Sequence, residues 1–193
     1  ACFAMSEEDA GSDAASLTTR ATRDGEQWVL NGEKKWSTSG AMAGVFTVMA
    51  KQQMPDGMEK VTALICTPDM EGIDVFEKNR SKTGIRGTWQ GRIRFTNVRV
   101  PKENLLHREG KGLHVALSCL NYGRCTLSAG VGGAAKQAMD QSIKYVQTRY
   151  QFGRPLADFE LVQQKIARMA AYTYAIDAVL YLMTGMLDRG DRD

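Results

Sequence analysis

Near residue 110 the apolar residues change period. That change limits the chain to sheet first and helix after. From residue 15 to about 107, short apolar runs are punctuated by turn residues. Asp24-Gly25 separates Leu17–Arg23 from Glu26–Leu30, and Asn31-Gly32 separates that run from Glu33–Thr38. Both dipeptides suit type I′ hairpin turns, which need φ > 0 at the central residues. They predict a three-stranded meander. Further strands are expected at Val45–Ala50, Lys60–Thr67, Gly72–Lys78 and Gln90–Val98, and Cys2–Met5 reads as the end of another. Residues 52–58, with Pro55-Asp56-Gly57, make a surface loop, and Pro101-Lys102-Glu103-Asn104 closes the region. Six or seven antiparallel strands of this kind predict a small barrel or sandwich.

From about Lys111 the apolar spacing becomes three to four residues. Leu113, Leu117, Leu120, Leu127, Val131, Ala134, Ala138, Ser142 and Val146 mark one face of a helix of roughly 36 residues, or of two joined pieces. Gly130, Gly132 and Gly133 fall inside it, each costing about 1 kcal/mol against alanine. Tertiary packing must therefore hold this helix, and close approach of another backbone is the expected benefit. Asp158 is a candidate N-cap for a last helix, with Glu160 in its first turn. Val162, Ile166, Met169, Thr173, Ile176, Leu180, Met183 and Leu187 mark its face. The fold class is α+β, an antiparallel β-barrel or sandwich (residues 1–108) followed by part of an α-helical bundle (residues 109–193).

Composition removes several classes of function. The 193 residues suffice for one domain or two small ones, and a net charge of +3 is too small to argue for nucleic acid. No apolar run approaches the roughly 20 residues of a membrane span, and no signal-peptide pattern opens the sequence. Cys2, Cys66, Cys119 and Cys125 lack metal-site spacing, and His107 and His114 are the only histidines. No metal is expected; the cysteines read as buried thiols of a reducing compartment. The chain starts without Met inside a strand pattern and stops just after a helical one. It is therefore expected to be part of a longer protein.

Four stretches are candidates for chemistry. The run Ala4-Met5-Ser6-Glu7-Glu8-Asp9-Ala10-Gly11-Ser12-Asp13-Ala14-Ala15-Ser16 is a loop of small, acidic and hydroxyl residues around Gly11. It reads either as a solvated acidic turn or as a loop whose N–H and hydroxyl groups hold a ligand. Trp36 and Thr38 lie two apart on a strand and so share a face. They are a core pair, or a flat surface and a hydroxyl for a heteroaromatic ring. Arg124 interrupts the helical stripe, and a charge on a buried face needs either an internal acid, such as the N-terminal loop offers, or a ligand. Arg149-Tyr150-Gln151-Phe152-Gly153-Arg154-Pro155 is a helix–helix link with solvated arginines, or a site for a diphosphate that suits arginine's fork.

The thirteen-residue N-terminal run resembles the first signature of the acyl-CoA dehydrogenase family: small–apolar–Ser/Thr–Glu–x–x–small–Gly–Ser/Thr–Asp–x–x–small. Leu30-Asn31-Gly32-Glu33-Lys34-Lys35-Trp36-Ser37-Thr38-Ser39-Gly40 is similar to that family's Leu/Ile-Asn-Gly-x-Lys-x-Trp-Ile-Ser/Thr-Asn-Gly, with Ser37 and Ser39 as departures. Leu120-Asn121-Tyr122-Gly123-Arg124 resembles the Leu-Asn-x-Gly-Arg form of the very-long-chain branch, as does Tyr181–Asp188. Residues 149–155 resemble the family's Arg-x-x-Phe-Gly-x-Pro.

The resemblance implies FAD as cofactor, bound by Phe3, Met5, Ser6, Trp36, Ser37 and Thr38 of one subunit. Arg149, Gln151 and Phe152 would reach the FAD of a neighbour. It implies a fatty acyl-CoA substrate held by Ser12, Asn121, Gly123 and Arg124. The reaction would be α,β-dehydrogenation to a trans-2-enoyl-CoA, as in fatty acid β-oxidation, with electrons passing to an electron-transfer flavoprotein. It implies a homodimer or homotetramer in a bacterial cytoplasm or mitochondrial matrix, with peripheral membrane association open to the full-length protein. Some relatives place the catalytic Glu where Gly123 stands and most place it far downstream. No catalytic residue is therefore assigned here, and the 193 residues alone are expected to give no turnover. An oxidase-like flavoprotein and a non-catalytic assembly protein remain alternatives.

Overall fold

In the computed structural model, which describes residues 1–190, seven strands precede two long helices. The strands are β1 (Cys2–Ala4), β2 (Arg20–Asp24), β3 (Gln27–Thr38), β4 (Phe46–Gln53), β5 (Glu59–Cys66), β6 (Ile73–Glu77) and β7 (Gln90–Pro101). Then follow α1 (Gly112–Thr148), the short β8 (Tyr150–Gln151) and β9 (Arg154–Pro155), and α2 (Glu160–Arg189). The chain divides into two compact units, residues 1–118 and residues 119 onward.

Strand β4 is the hub of the sheet. It pairs along its whole length with β5, from Phe46↔Cys66 to Gln53↔Glu59. Its other edge is shared by β1, in register Cys2↔Phe46, and β2, at Arg20↔Lys51, both parallel to it. The remaining pairs, β2–β3, β3–β7 and β7–β6, are antiparallel. The α+β class holds, with a correction: the sheet is mixed. It also does not close into a barrel, since β5 and β6 end its path. Phe46, Val48, Met49 and Ala50 run almost without alternation because both faces of β4 are covered. Phe46, Val48 and Ala50 join a core containing Trp28, Leu30, Leu64, Ile93, Phe95, Val98 and Val100, and Met49 joins a second one with Leu17, Val61, Ala63 and Ala116.

The hairpin at Asp24-Gly25 forms, closing on Asp24↔Gln27. The turn expected at Asn31-Gly32 does not, because β3 runs straight through it. The register slips there between Leu30 and Gly32. A Cβ on Gly32, at φ 144°, would lie 2.6 Å from the Thr19 Cα. The glycine admits a neighbouring backbone rather than reversing the chain. Asn31 instead braces the next strand. Its Oδ1 accepts the Asn97 N–H at 2.8 Å, where β7 carries a residue at φ 51°.

Gly112 starts α1 against β5. A Cβ there would meet the Thr62 carbonyl carbon at 2.5 Å and the Ala63 nitrogen at 2.6 Å. One turn on, Ala116 is fully buried. Gly112→Ala is expected to destabilise the protein by about 1–3 kcal/mol through overpacking against rigid backbone, read as a lower urea midpoint.

Within the second unit α1 departs from its expected stripe. Leu127, Val131, Ala134 and Ala138 are exposed, whereas Leu120, Ser142 and Val146 of the stripe are half-buried together with Met139 and Ile143 outside it. Of the three glycines only Gly132 meets α2, where a Cβ would sit 3.2 Å from Ile176 Cγ2; Gly130 and Gly133 face open space. Helix α2 half-buries most of the face the sequence marked and buries Thr173, but Met183 of that face is exposed. Its start is corrected: Asp158 closes a 3-10 turn (Leu156–Asp158), and Phe159 precedes the helix without a side-chain cap. By length and a mean hydropathy of 1.2 over eighteen residues, α2 passes the composition test for a membrane span. The expectation that no apolar segment approaches a span's length is thus corrected, by length and composition alone. Tyr172, Tyr174, Val179, Tyr181 and Leu182 of this helix are exposed.

Candidate functional site

The two stretches singled out at the start of the chain and on β3 meet in the first unit. The Lys35 N–H donates to the Ser6 carbonyl oxygen at 2.8 Å, which sets Met5–Ser6 beside Trp36. The β3–β7 ladder skips from Lys34↔Ile93 to Ser37↔Gly91, so Lys35 and Trp36 bulge out of it. Trp36 takes φ 58° and stands 46% exposed. Thr38 shares its exposed side while Ser37 between them is buried. The core alternative for Trp36 is therefore excluded. Thr38 Oγ1 accepts from Gln90 Nε2 at 3.3 Å, leaving its own proton to donate. Phe3, Met5 and Ser6 are half-buried.

The Trp36 ring already attracts cations. The Arg80 guanidinium lies 4.6 Å and the Lys35 ammonium 5.3 Å from its centroid. A flat aromatic face, a hydroxyl donor and two cations form a donor set that fits an electron-poor, anionic heteroaromatic such as a flavin nucleotide. Gly11 and Ser12 are exposed, and a Cβ on Gly11 would meet nothing within 4 Å. The fold itself does not require glycine there, and the open side is free for a ligand.

Sequence reasoning missed Lys34, which is fully buried with Glu7. Their ion pair spans 2.8 Å with side chains 0% and 5% exposed. Lys34 Nζ also donates to the Met5 carbonyl oxygen at 3.0 Å. Glu7 Oε2 accepts the N–H and hydroxyl of Thr18, each at 2.6 Å, and Oε1 accepts the Thr19 N–H at 3.0 Å. Burial pushes the Glu7 carboxyl up, but Lys34 and the two threonines outweigh it and hold it at about 2. Burial lowers Lys34 to about 8, with Glu7 offsetting only part. Both groups are therefore charged at neutral pH. One signal was present in the sequence: Lys34 lies in phase with Trp28 and Leu30 on the inward face of the strand.

In the second unit Asn121, Gly123 and Arg124 sit on exposed α1 surface. Arg124 Nη1 donates to Asn121 Oδ1 on the same helix. The expectation of a buried cation is corrected, because Arg124 is itself exposed, as is Leu127 after it. Arg124 instead borders an apolar groove of about 750 Å³ with Cys125, Tyr172, Ile176, Val179 and Met183. Cys119 is exposed and Cys125 half-buried, so only Cys2 and Cys66 are buried thiols; burial pushes Cys66 up to about 12.

The link after α1 is a tight hairpin, Tyr150↔Pro155 and Gln151↔Arg154, with Phe152 at φ 54° and Gly153 at φ 77°. Phe152 is 93% exposed at its tip. Arg149 and Gln151 are exposed beside it, while Arg154 stacks 4.0 Å over Phe159.

Residues 2–98 match the acyl-CoA dehydrogenase middle domain and residues 110–193 match the acyl-CoA dehydrogenase C-terminal domain. A probable acyl-CoA dehydrogenase, FadE25 of Mycobacterium bovis, is 38% identical over 193 residues, covering 100% of this chain and 49% of the relative. The butyryl-CoA dehydrogenase structure from Megasphaera elsdenii superposes with a TM-score of 0.91 at 31% identity, over 99% of this chain and 50% of that one. The structure of an acyl-CoA dehydrogenase complexed with FAD from Bacillus anthracis gives 0.86 at 40% identity, over 96% and 31%. The chain thus spans about half the length, or less, of the relatives it matches.

Proposed function

This chain belongs to the acyl-CoA dehydrogenase family, and we propose that the whole protein oxidises a long-chain fatty acyl-CoA to its trans-2-enoyl-CoA with FAD as cofactor. The observation that carries the reading is the Lys35–Ser6 hydrogen bond. It joins the two signature stretches into one edge bearing the half-buried Met5 and Ser6 and the exposed Trp36. FAD supplies hydride acceptance from the β-carbon of the acyl chain. Trp36 offers the flat face, Thr38 the hydroxyl at the ring edge, and Phe3, Met5 and Ser6 the surrounding wall; Ser37, expected to join them, is 1% exposed and its side chain faces the core instead. Holding donor and acceptor atoms at near-attack separation is the contribution of these residues to rate.

Ser12 is assigned to the thioester–pantetheine arm, and Asn121, Gly123 and Arg124 to the acyl-CoA. Arg149, Gln151 and Phe152, at the exposed hairpin, are assigned to the FAD of a neighbouring subunit, which makes the protein a homo-oligomer. The α-proton must leave to a carboxylate. Glu7 is saturated by four hydrogen bonds, and Glu8 pairs with Lys35 and Arg92. By the family resemblance, with Gly123 standing where some relatives carry the catalytic Glu, we place the base outside these residues. The long-chain preference rests on the very-long-chain likeness of residues 120–124 and 181–188, and an electron-transfer flavoprotein is the proposed acceptor.

The test is the visible spectrum of the full-length protein titrated with acyl-CoAs of several lengths without oxygen. The flavin band is expected to bleach, most completely with long chains, and to recover with the acceptor flavoprotein. Bleaching by short chains alone would remove the long-chain assignment. Recovery in air alone would mark an oxidase, and absence of bound flavin would mark an assembly role.

A further inference from the structure

The sheet does not need a charge at position 34. An apolar side chain of similar volume would pack as well or better, since buried ion pairs rarely outperform apolar replacements in stability. Yet Lys34 is fully enclosed, and its ammonium reaches two targets on another segment. It donates to the Met5 carbonyl and to the Glu7 carboxylate. The backbone of the next strand residue, Lys35, donates to the Ser6 carbonyl that lies between them. Three successive residues, Met5, Ser6 and Glu7, are thereby each tied to β3 immediately before the bulge that turns Trp36 outward.

The Glu7 carboxylate carries the restraint further. Its oxygens gather the Thr18 and Thr19 amides at the far end of the loop, and the Glu7 N–H closes a turn onto the Ala10 carbonyl. One enclosed carboxylate thus fastens both ends of the stretch that carries Gly11 and Ser12.

We infer that Lys34 and Glu7 are positioning residues for the cofactor: their enclosed ion pair sets the Met5–Ser6 backbone at a fixed distance from Trp36 so that both face one flavin ring. This rests on the flavin reading above. It predicts that losing Lys34 harms FAD binding through the Met5 carbonyl, separately from any loss of stability.

The experiment uses the full-length protein, with Lys34→Met and the double variant Lys34→Met/Glu7→Gln beside the unaltered chain. Stability, FAD affinity and the visible circular dichroism of bound FAD are read for each. Lys34→Met leaves the Glu7 carboxylate with its threonine hydrogen bonds but no counter-charge, and is expected to be less stable. The double variant removes that charge and is expected to recover part of the stability. Both are expected to bind FAD about tenfold more weakly, the scale of one lost hydrogen bond, with an altered dichroism of the FAD that remains. Where the single variant fails to fold, the double variant carries the test. Recovery of affinity and dichroism together with stability would overturn the inference, leaving the pair a purely structural one. Failure of the unaltered protein to bind FAD would instead overturn the flavin reading on which it rests.

Discussion

Replacing Glu7 with glutamine is expected to lower the stability of the β unit by about 3–5 kcal/mol, the scale for breaking one partner out of an enclosed ion pair. The Lys34 ammonium would lose its counter-charge while remaining 0% exposed. The amide would also turn an NH2 toward donors, because Thr18 and Thr19 already direct two N–H groups and a hydroxyl at this position. The pH dependence gives a second readout. The folded carboxyl sits at about 2, below its ordinary 4.5, so the unfolded chain binds more protons between those values and stability rises with pH across them. The contribution is complete above about pH 4.5 and lost as pH falls toward 2. Lys34, lowered from 10.5 to about 8, adds a second upward slope between those values, and for the same reason. Urea unfolding at stepped pH should show the acid slope in the unaltered protein and a flatter one in Glu7→Gln. Equal acid slopes would mean that Glu7 is not held ionised by its neighbours.

Trp28→Ala is expected to cost about 3–5 kcal/mol, the range for emptying a fully buried aromatic site. Trp28 is 0% exposed. It pairs across to Val100 and Arg23 from neighbouring strands, so surrounding β-structure cannot collapse into the cavity without breaking ladders. The indole N–H has no hydrogen-bond partner among the described residues. Trp28→Phe, which removes that N–H and keeps most of the ring, is therefore expected to cost about 1 kcal/mol or less beyond its smaller volume. Similar losses for the two variants would show that the N–H is satisfied after all.

Parts of this fold were legible in the sequence and parts were not, and the differences trace to particular residues. Asp24-Gly25 announced a hairpin because nothing else competes for that turn. Asn31-Gly32 carried the same local signal and was overruled by the Thr19 backbone packing where a side chain would be. No local pattern reports such a distant contact. Helix α2 displayed its inward face plainly. In α1 the small residues hide the real contact at Gly132, and the prominent Leu117, Leu127 and Val131 point to solvent. Of the candidate site, Trp36 and Thr38 could be placed on one face from their spacing alone. The outward turn of Trp36 could not, because it depends on a bulge between Lys34 and Ser37. Adjacent Lys34 and Lys35 look alike in sequence, yet one is enclosed by Glu7 and the other lies over the Trp36 ring. Only the phase of Trp28 and Leu30 distinguishes them.

The central claim is that the edge formed by Met5, Ser6 and Trp36 holds a flavin. The direct measurement is equilibrium binding of FAD to the full-length protein and to its Trp36→Ala variant, with folding of both checked by far-ultraviolet circular dichroism. The exposed position of Trp36 should leave the fold intact without it. The expected result is affinity weakened by about tenfold or more, the scale of a lost aromatic stacking contact, together with a changed visible spectrum. Unchanged affinity and spectrum in a folded Trp36→Ala protein would contradict the claim and place any flavin elsewhere.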